Sequence, residues 1–252
     1  MAKKTSTSET GHAKNVANFD DLITIATGMG AAYNPSDTKI KLAALNTLHT
    51  NADNSNLAVE AALPTYTNAV DNRQAVFLPV KKLTTRIMSA LASSGASAAS
   101  VADAKTIARK LQGTRATPIK NTTPSPTPSP SPAPSAKTIS VSQQSFDSQY
   151  DNMNKLVQLL TTISSYTPNE TDLKLTALNS LVTSMKAQNK AVATAFQPVV
   201  NARNARNTVL YTPTTGLVDI AQSVKNYIKS VYGATSPQYK QAAKIKFTTP
   251  KD

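Results

Sequence analysis

The sequence predicts an all-α protein made of two tandem copies of a helical-bundle module, and three observations support this. The 252 residues include only 7 Gly, 5% aromatic residues and no Trp, which disfavours an all-β design. The core must therefore consist of Leu, Ile, Val, Ala and Met, and these residues recur at helical rather than alternating spacing. The third observation is an internal repeat, which defines the modules.

The repeat is visible when the chain is aligned with itself at an offset of 133 residues. Tyr33–Phe77 then falls on Tyr166–Leu210 without a gap, and 18 of the 45 aligned positions are identical. We interpret this as the duplication of one ancestral module. The predicted division is a disordered polar tail (1–17), module 1 (18–113), a Pro/Ser/Thr-rich linker (114–140), module 2 (141–247) and a short tail (248–252).

The linker contains the tract TTPSPTPSPSPAPS at residues 122–135. Proline fixes φ and lacks a backbone donor, so neither helix nor sheet is expected there. A polyproline II conformation rises about 3.1 Å per residue and would extend this tract over roughly 40 Å. We favour a semi-rigid spacer; the alternatives are a ligand for a proline-binding domain and a track of modified Ser/Thr residues.

Each module is predicted to open with an amphipathic helix, over about Phe19–Ala32 and Asp147–Ser165. The sequence Asn34-Pro35-Ser36-Asp37 predicts the start of the next helix, since it places a capping side chain before Pro and an acid at the third helical position. Thr167-Pro168-Asn169-Glu170 repeats the pattern in module 2. Shorter helices close the modules, near Val80–Ser94 and Val101–Leu111 in module 1, and near Leu217–Tyr232 and Pro237–Ile245 in module 2.

The longest helix of each module carries a 3–4 spacing of apolar residues over five heptads, as in a coiled-coil seam. This pattern runs from Leu42 to Phe77 and recurs 133 residues later. Pro64 and Pro198 interrupt it, yet neither follows a capping residue and the heptad phase continues. We therefore predict one long helix kinked at proline, with a helical hairpin as the alternative. Because the flanking helices are too short to cover the seam, we expect the long helices to pack antiparallel on each other or on a second chain.

Polar residues on this seam are candidate sites. Asn56 and Asn189 occupy the same seam position, where a buried Asn fixes helix register; the alternative is a solvated edge. Arg73, Arg203 and Arg206 lie nearby and are suited to a phosphate or carboxylate. The alternative for these arginines is packing over apolar surface or pairing with an acid.

The formal charge of +13 makes acidic partners a second possibility. No acid occurs in Lys225–Lys251, where aromatic residues are interleaved with lysines; lysines attract phosphates and aromatic rings stack on bases. No named nucleic-acid-binding motif is present, and core tyrosines with a charge that serves solubility are the alternative. The candidate anion or nucleic-acid contacts are Lys225, Lys229, Lys240, Lys244 and Lys246, together with the three arginines.

Catalytic chemistry has little support in the sequence. There is no Cys, and the two His residues belong to no metal-binding spacing. No base is placed to activate a Ser or Thr. We therefore predict no enzymatic activity, no cofactor and no small-molecule substrate. No apolar stretch reaches the roughly 20 residues of a membrane span and the polar start is unlike a signal peptide, so we expect a cytoplasmic location.

Two segments carry a resemblance, NARNARNTVLY (Asn201–Tyr211) and GATSPQYKQ (Gly233–Gln241). They resemble segments that recur in an uncharacterised family of small bacterial helical-repeat proteins, mainly over Tyr166–Phe247. The resemblance implies a bacterial origin and no particular activity. The sequence as a whole predicts a structural or protein-interaction protein that acts through a duplicated coiled-coil-like seam, with a protein partner or self-association. The alternative is a basic protein that binds nucleic acid without sequence specificity.

Overall fold

The computed structural model describes residues 10–114 and 143–249. The proline-rich tract and nearly all of the predicted linker lie outside the described residues. Within these ranges the chain is all-helical and forms no strand, as predicted. The helices are α1 (Thr10–Gly28), α2 (Leu42–Phe77), α3 (Val80–Ser93), α4 (Ala98–Gln112), α5 (Phe146–Thr161), α6 (Leu175–Tyr211), α7 (Leu217–Tyr232) and α8 (Pro237–Lys244).

The long helices α2 and α6 are each continuous through their proline, which confirms one helix rather than a hairpin at this point. Pro64 and Pro198 both lie on exposed positions. A proline leaves the carbonyl four residues earlier without its helical donor. The residues concerned are the exposed Glu60 and Thr194, so water can satisfy those carbonyls without disturbing the buried face.

The first helix begins at Thr10, nine residues before the predicted start, so residues 10–17 of the predicted polar tail are helical. Although this stretch is mostly polar, the side chains of Asn15 and Val16 are buried. The helix also ends earlier than predicted, at Gly28, and its counterpart α5 ends at Thr161.

The predicted helix starts at Asn34 and Thr167 are wrong. Short 3₁₀ turns form instead, at Thr38–Ile40 and Thr171–Leu173, and the α-helices begin only at Leu42 and Leu175. A tyrosine hydroxyl holds each connection across its proline. Tyr33 donates to the carbonyl of Ile40 at 2.7 Å, and Tyr166 donates to that of Leu173 at 3.0 Å.

The chain forms two compact units whose limits differ from those of the predicted modules. Unit 1 comprises the chain up to Thr67 together with the chain from Thr194 onward, and unit 2 comprises Asn68–Ala193. Both boundaries fall inside a long helix. Each unit therefore combines residues from the N-terminal half (10–114) with residues from the C-terminal half (143–249).

In unit 1, α1 from the N-terminal half packs against α7 and α8 from the C-terminal half. A 3–4 stripe of α1 is completely or almost completely buried there. The stripe consists of Val16, Phe19, Leu22, Ile23 and Ala26, and it shares one core with Leu210, Leu217, Ile220, Val224 and Ile228.

In unit 2 the C-terminal half provides the opening helix and the N-terminal half provides the closing helices. Here α5 from the C-terminal half packs against α4 from the N-terminal half, and α4 packs on α3. The buried stripe of α5 consists of Met153, Leu156, Val157 and Leu160, all at 0% exposure, and it shares a core with Val80, Ile87, Leu91, Ala104 and Leu111. The opening helix of each half is thus covered by the closing helices of the other half.

Candidate functional site

The face of α2 and α6 that carries the 3–4 pattern points inward. Every predicted seam position is buried or half-buried except Phe196, which is 41% exposed and whose ring lies 5.1 Å from that of Tyr66. The predicted spacing therefore identifies the correct face of both helices. The buried positions are Leu45, Ala52, Val59, Phe77, Leu178, Val182, Met185, Val192, Val199, Arg206 and Leu210.

The two seam asparagines are both half-buried. Asn189 donates through Nδ2 to a carboxylate oxygen of Asp147 at 2.8 Å, while its own Oδ1 is buried and accepts no hydrogen bond from a described residue. Asp147 lies in the first turn of α5, so the hydrogen bond joins two helices of the C-terminal half. The proposed role of Asn56 and Asn189 in helix register stays a prediction.

The arginines of the long helices lie against the protein. In unit 2 the guanidinium of the half-buried Arg73 lies 4.0 Å above the ring of Phe146, and that ring forms a T-shaped pair with Phe77. Among the described residues, the buried Nε of Arg73 has no hydrogen-bond acceptor. In unit 1 Arg206 is 3% exposed and donates to Asn207, and Arg203 is half-buried. The side chains of these three arginines are therefore only partly accessible to solvent, or buried.

The basic candidates of the C-terminal region separate into two groups. Lys229, Lys240, Lys244 and Lys246 are exposed, whereas Lys225 on α7 is buried at 9% exposure. The interleaved aromatic side chains pack on the core of unit 1 and are only partly exposed, so their faces are not free platforms for bases. These side chains are Tyr227, Tyr232, Tyr239 and Phe247.

Lys225 belongs to a buried polar cluster that the sequence did not reveal. Residues 245–249, which we call the strap, follow α8 in a non-helical conformation. Asn15 of α1 donates to the carbonyl of Thr248 at 2.7 Å and accepts from its N–H at 3.0 Å. Asn18 donates to the carbonyl of Lys246, and the ammonium of Lys225 donates to that of Ile245.

The surroundings of Lys225 are unusual for a lysine. It forms no ion pair with a described residue, and its ammonium lies 4.9 Å from the centre of the Phe247 ring. Burial lowers the pKa of Lys225 below its ordinary value, and the nearby charge of Lys246 lowers this pKa further. The strap carbonyl and the aromatic ring are the partners that hold the charge.

Unit 2 contains a separate polar surface beside α3. Arg86 and Asp172 form a bidentate, solvent-exposed ion pair, and the hydrogen bond from Arg86 lowers the pKa of the Asp172 carboxyl. An open groove of about 610 Å³ adjoins the pair, and half of its twelve lining residues are Ser or Thr. Exposed ion pairs add about 0–1 kcal/mol to stability, so this pair orders the surface without anchoring the fold.

Two kinds of feature are absent from the described ranges. They contain no group of three or more His, Asp or Glu residues that could hold a metal ion. Among the described helices, none combines the length and apolarity needed to cross a membrane.

Comparisons with protein-family models, with curated proteins and with solved structures found no match to this chain.

Proposed function

We propose that the chain is a non-enzymatic structural or protein-interaction protein that acts through the inward-facing seam of α2 and α6. One observation carries the proposal: every seam position except Phe196 is buried or half-buried, and the buried seam residues of α2 and α6 share their cores with the opening helix of one half and the closing helices of the other. The proposed activity is therefore helix–helix association, and the burial of apolar stripes provides its driving force. The duplicated module provides both sides of the association.

Corresponding polar contacts in the two halves support the duplication. The Tyr33–Ile40 and Tyr166–Leu173 hydrogen bonds lie 133 residues apart, and so do the bonds from Asn46 to Leu42 and from Asn179 to Leu175. The donor side chains are thus identical in the two copies, and their carbonyl acceptors lie at equivalent positions. This is the outcome expected when two copies of one module retain the same local fold.

A second function is favoured by the exposed lysines of unit 1. Lys229, Lys240, Lys244 and Lys246 lie in an acid-free stretch of the sequence and face solvent. Because the neighbouring aromatic side chains pack on the core, such a surface would contact phosphates without reading bases. The alternative function is therefore binding of nucleic acid without sequence specificity.

Salt dependence discriminates the two functions. We expect the full chain to bind fluorescein-labelled DNA and RNA weakly at low salt and not at physiological salt, because a helical seam does not need phosphate. Fluorescence anisotropy at the two salt concentrations measures this. Binding that persists at physiological salt would favour the alternative. In that case, changing the four exposed lysines to Gln should reduce the slope of log K against log salt by about 0.9 for each phosphate that the variant no longer neutralises.

A further inference from the structure

The contacts between the two halves can be supplied by any copy of this chain. In unit 1 the rings of Tyr33 and Tyr227 form a T-shaped pair with 5.1 Å between their centroids, and in unit 2 Arg86 pairs with Asp172. In each pair one residue belongs to the N-terminal half and the other to the C-terminal half. The same is true of the buried stripes of α1 and α5 and the helices that cover them. These contacts therefore require one half of each kind, and not two halves of one chain.

The two ends of the segment that joins the halves lie against each other. Gln144 donates to the carbonyl of Lys110 at 2.6 Å, and its side chain lies 3.0 Å from the position that a Cβ would take on Gly113. When both halves come from one chain, residues 115–142 must therefore begin and end at nearly the same place.

Bringing these ends together conflicts with the stiffness predicted for the proline tract. Residues 122–135 contain six prolines, and a polyproline II conformation would hold the ends of the tract roughly 40 Å apart. The seven residues on either side, 115–121 and 136–142, span at most about 25–30 Å each. A closed loop then requires both flanks to return along the tract in a largely extended form. Such a loop loses conformational freedom that a linker between two separate assemblies retains.

We propose that a partner of this chain is a second copy of the same chain, and that the two copies exchange halves. In the exchanged dimer, residues 10–114 of each copy pack with residues 143–249 of the other copy. Two complete assemblies form, every contact between halves is retained, and each proline tract runs from one assembly to the other. Exchange of identical elements is a low-cost route to a dimer, and strain in the connecting segment favours it. This inference rests on the proposed function and names its partner.

Refolding at two protein concentrations tests for the dimer. A short flexible linker gives a tethered half an effective concentration in the millimolar range, and the stiff tract should lower this at least tenfold. The full chain, unfolded in urea and refolded at about 300 μM, should therefore give dimer as a major species, whereas refolding at about 3 μM should give monomer. Size-exclusion chromatography with light scattering measures the two species.

Two linker variants are the matched controls. In one variant the six prolines of residues 122–135 are replaced by Gly, and in the other residues 122–135 are deleted. Both variants keep every described residue and remove the stiff tract, so each should give at least about fivefold less dimer than the wild type after refolding at about 300 μM. Monomer at both concentrations for the wild type, or equal dimer yields for all three proteins, would overturn the proposal.

A mixing experiment tests whether the dimer forms by exchange of halves. Leu22→Asp damages the N-terminal half and Leu156→Asp damages the C-terminal half, because both leucines are fully buried. When the two variants are refolded together, an exchanged dimer contains one assembly with two undamaged halves. The mixture should regain a thermal unfolding transition at the wild-type temperature, in a species of dimer mass. A mixture of Leu22→Asp with Phe19→Asp should not regain it, since both lesions lie in the N-terminal half.

The outcomes separate the exchange from the proposed function. If the transition is not regained although the halves stay together after cleavage of the linker, the exchange is wrong and the association of the halves stands. Separation of the cleaved halves into folded monomers would refute the proposed function as well.

Discussion

At the scale of single residues, two tyrosines hold the connections that precede the long helices. Tyr33 and Tyr166 are buried, and each hydroxyl donates to a carbonyl seven residues later. Burial raises the pKa of Tyr166 to about 12, with a smaller contribution from the charges of Glu170 and Asp172. It also raises the pKa of Tyr33, with a contribution from Tyr227. Both hydroxyls therefore remain donors well into the alkaline range.

We predict that Tyr166→Phe destabilises the protein by about 1–2 kcal/mol at neutral pH, because the carbonyl of Leu173 is left without its donor. The folded-state pKa is raised, so this contribution is fully present below pH 10 and is lost as pH rises toward 12. The difference in unfolding free energy between wild type and variant should narrow over that window. Urea denaturation at several pH values measures it.

Tyr150→Phe is the control for this prediction. Tyr150 is half-buried against the same core, and its hydroxyl forms no hydrogen bond with the described part of the chain. Removal of the Tyr150 hydroxyl should therefore lower the free energy of unfolding clearly less than removal of the Tyr166 hydroxyl. Equal costs for the two variants would mean that ring packing, and not the bond to Leu173, fixes the connection.

Lys225 shows why some sites escape prediction at this scale. Lysines are mostly exposed, so a lysine in a basic stretch is first interpreted as a surface contact. Here the acceptor is a backbone carbonyl twenty residues later, and a backbone group has no signature in the sequence. Asn15 was missed for the same reason, since its partner is the backbone of Thr248.

At the scale of helices, the spacing of apolar residues predicted where the helices lie and which face points inward. It did not predict which helices pack against that face. α7 covers Leu217–Tyr232 as predicted, and α3 starts at Val80, because a 3–4 stripe determines which residues face inward. A stripe does not determine which helix covers it. That α1 is covered by helices of the C-terminal half therefore could not be derived from its own residues.

The connection between α6 and α7 depends on one glycine. A Cβ on Gly216 would lie 2.6 Å from the backbone N of Thr212 and 2.7 Å from its carbonyl oxygen, and neither atom can move independently of the turn. We predict that Gly216→Ala lowers the unfolding free energy by about 2–3 kcal/mol, as overpacking against fixed atoms does. Apart from its chain neighbours and the backbone of its own helix, Gly28 at the end of α1 has no described atom within 4 Å of its Cβ position.

Gly28→Ala is thus the matched control, and it should be neutral or stabilising by about 0.5–1 kcal/mol because it restricts the unfolded chain. Thermal and urea unfolding of both variants give the comparison. If Gly216→Ala were as stable as Gly28→Ala, the close approach to Thr212 would not constrain the α6–α7 connection.

At the scale of the whole molecule, the two halves are joined by helix packing as well as by the linker. Gln144 donates to the carbonyl of Lys110 at 2.6 Å, so the described residues on either side of the linker meet within unit 2. The contacts between the halves are carried by helices, in particular by the fully buried Phe19 and Leu22 of α1 and Leu156 and Leu160 of α5. Full burial of such a side chain stabilises by about 1.5–3 kcal/mol.

We therefore predict that the halves stay together when the linker is cut. A protease site placed within residues 122–135 allows the folded full chain to be cleaved, and the two fragments should co-elute as a 1:1 complex at roughly 1 μM. Association at this concentration requires a binding free energy of roughly 8 kcal/mol. We expect the combined burial of several apolar stripes to contribute more than this. Size-exclusion chromatography with light scattering measures the complex, and dilution gives its Kd.

Two variants make this prediction specific. Leu22→Asp places a charge in the stripe of α1 beneath the closing helices of the C-terminal half, so the cut fragments should separate. Leu78→Asp changes a side chain that is 84% exposed and should leave the complex intact. If the cut wild-type fragments separated into two individually folded monomers, residues 18–113 and 141–247 would be autonomous modules. The seam would then not be the surface through which this protein associates.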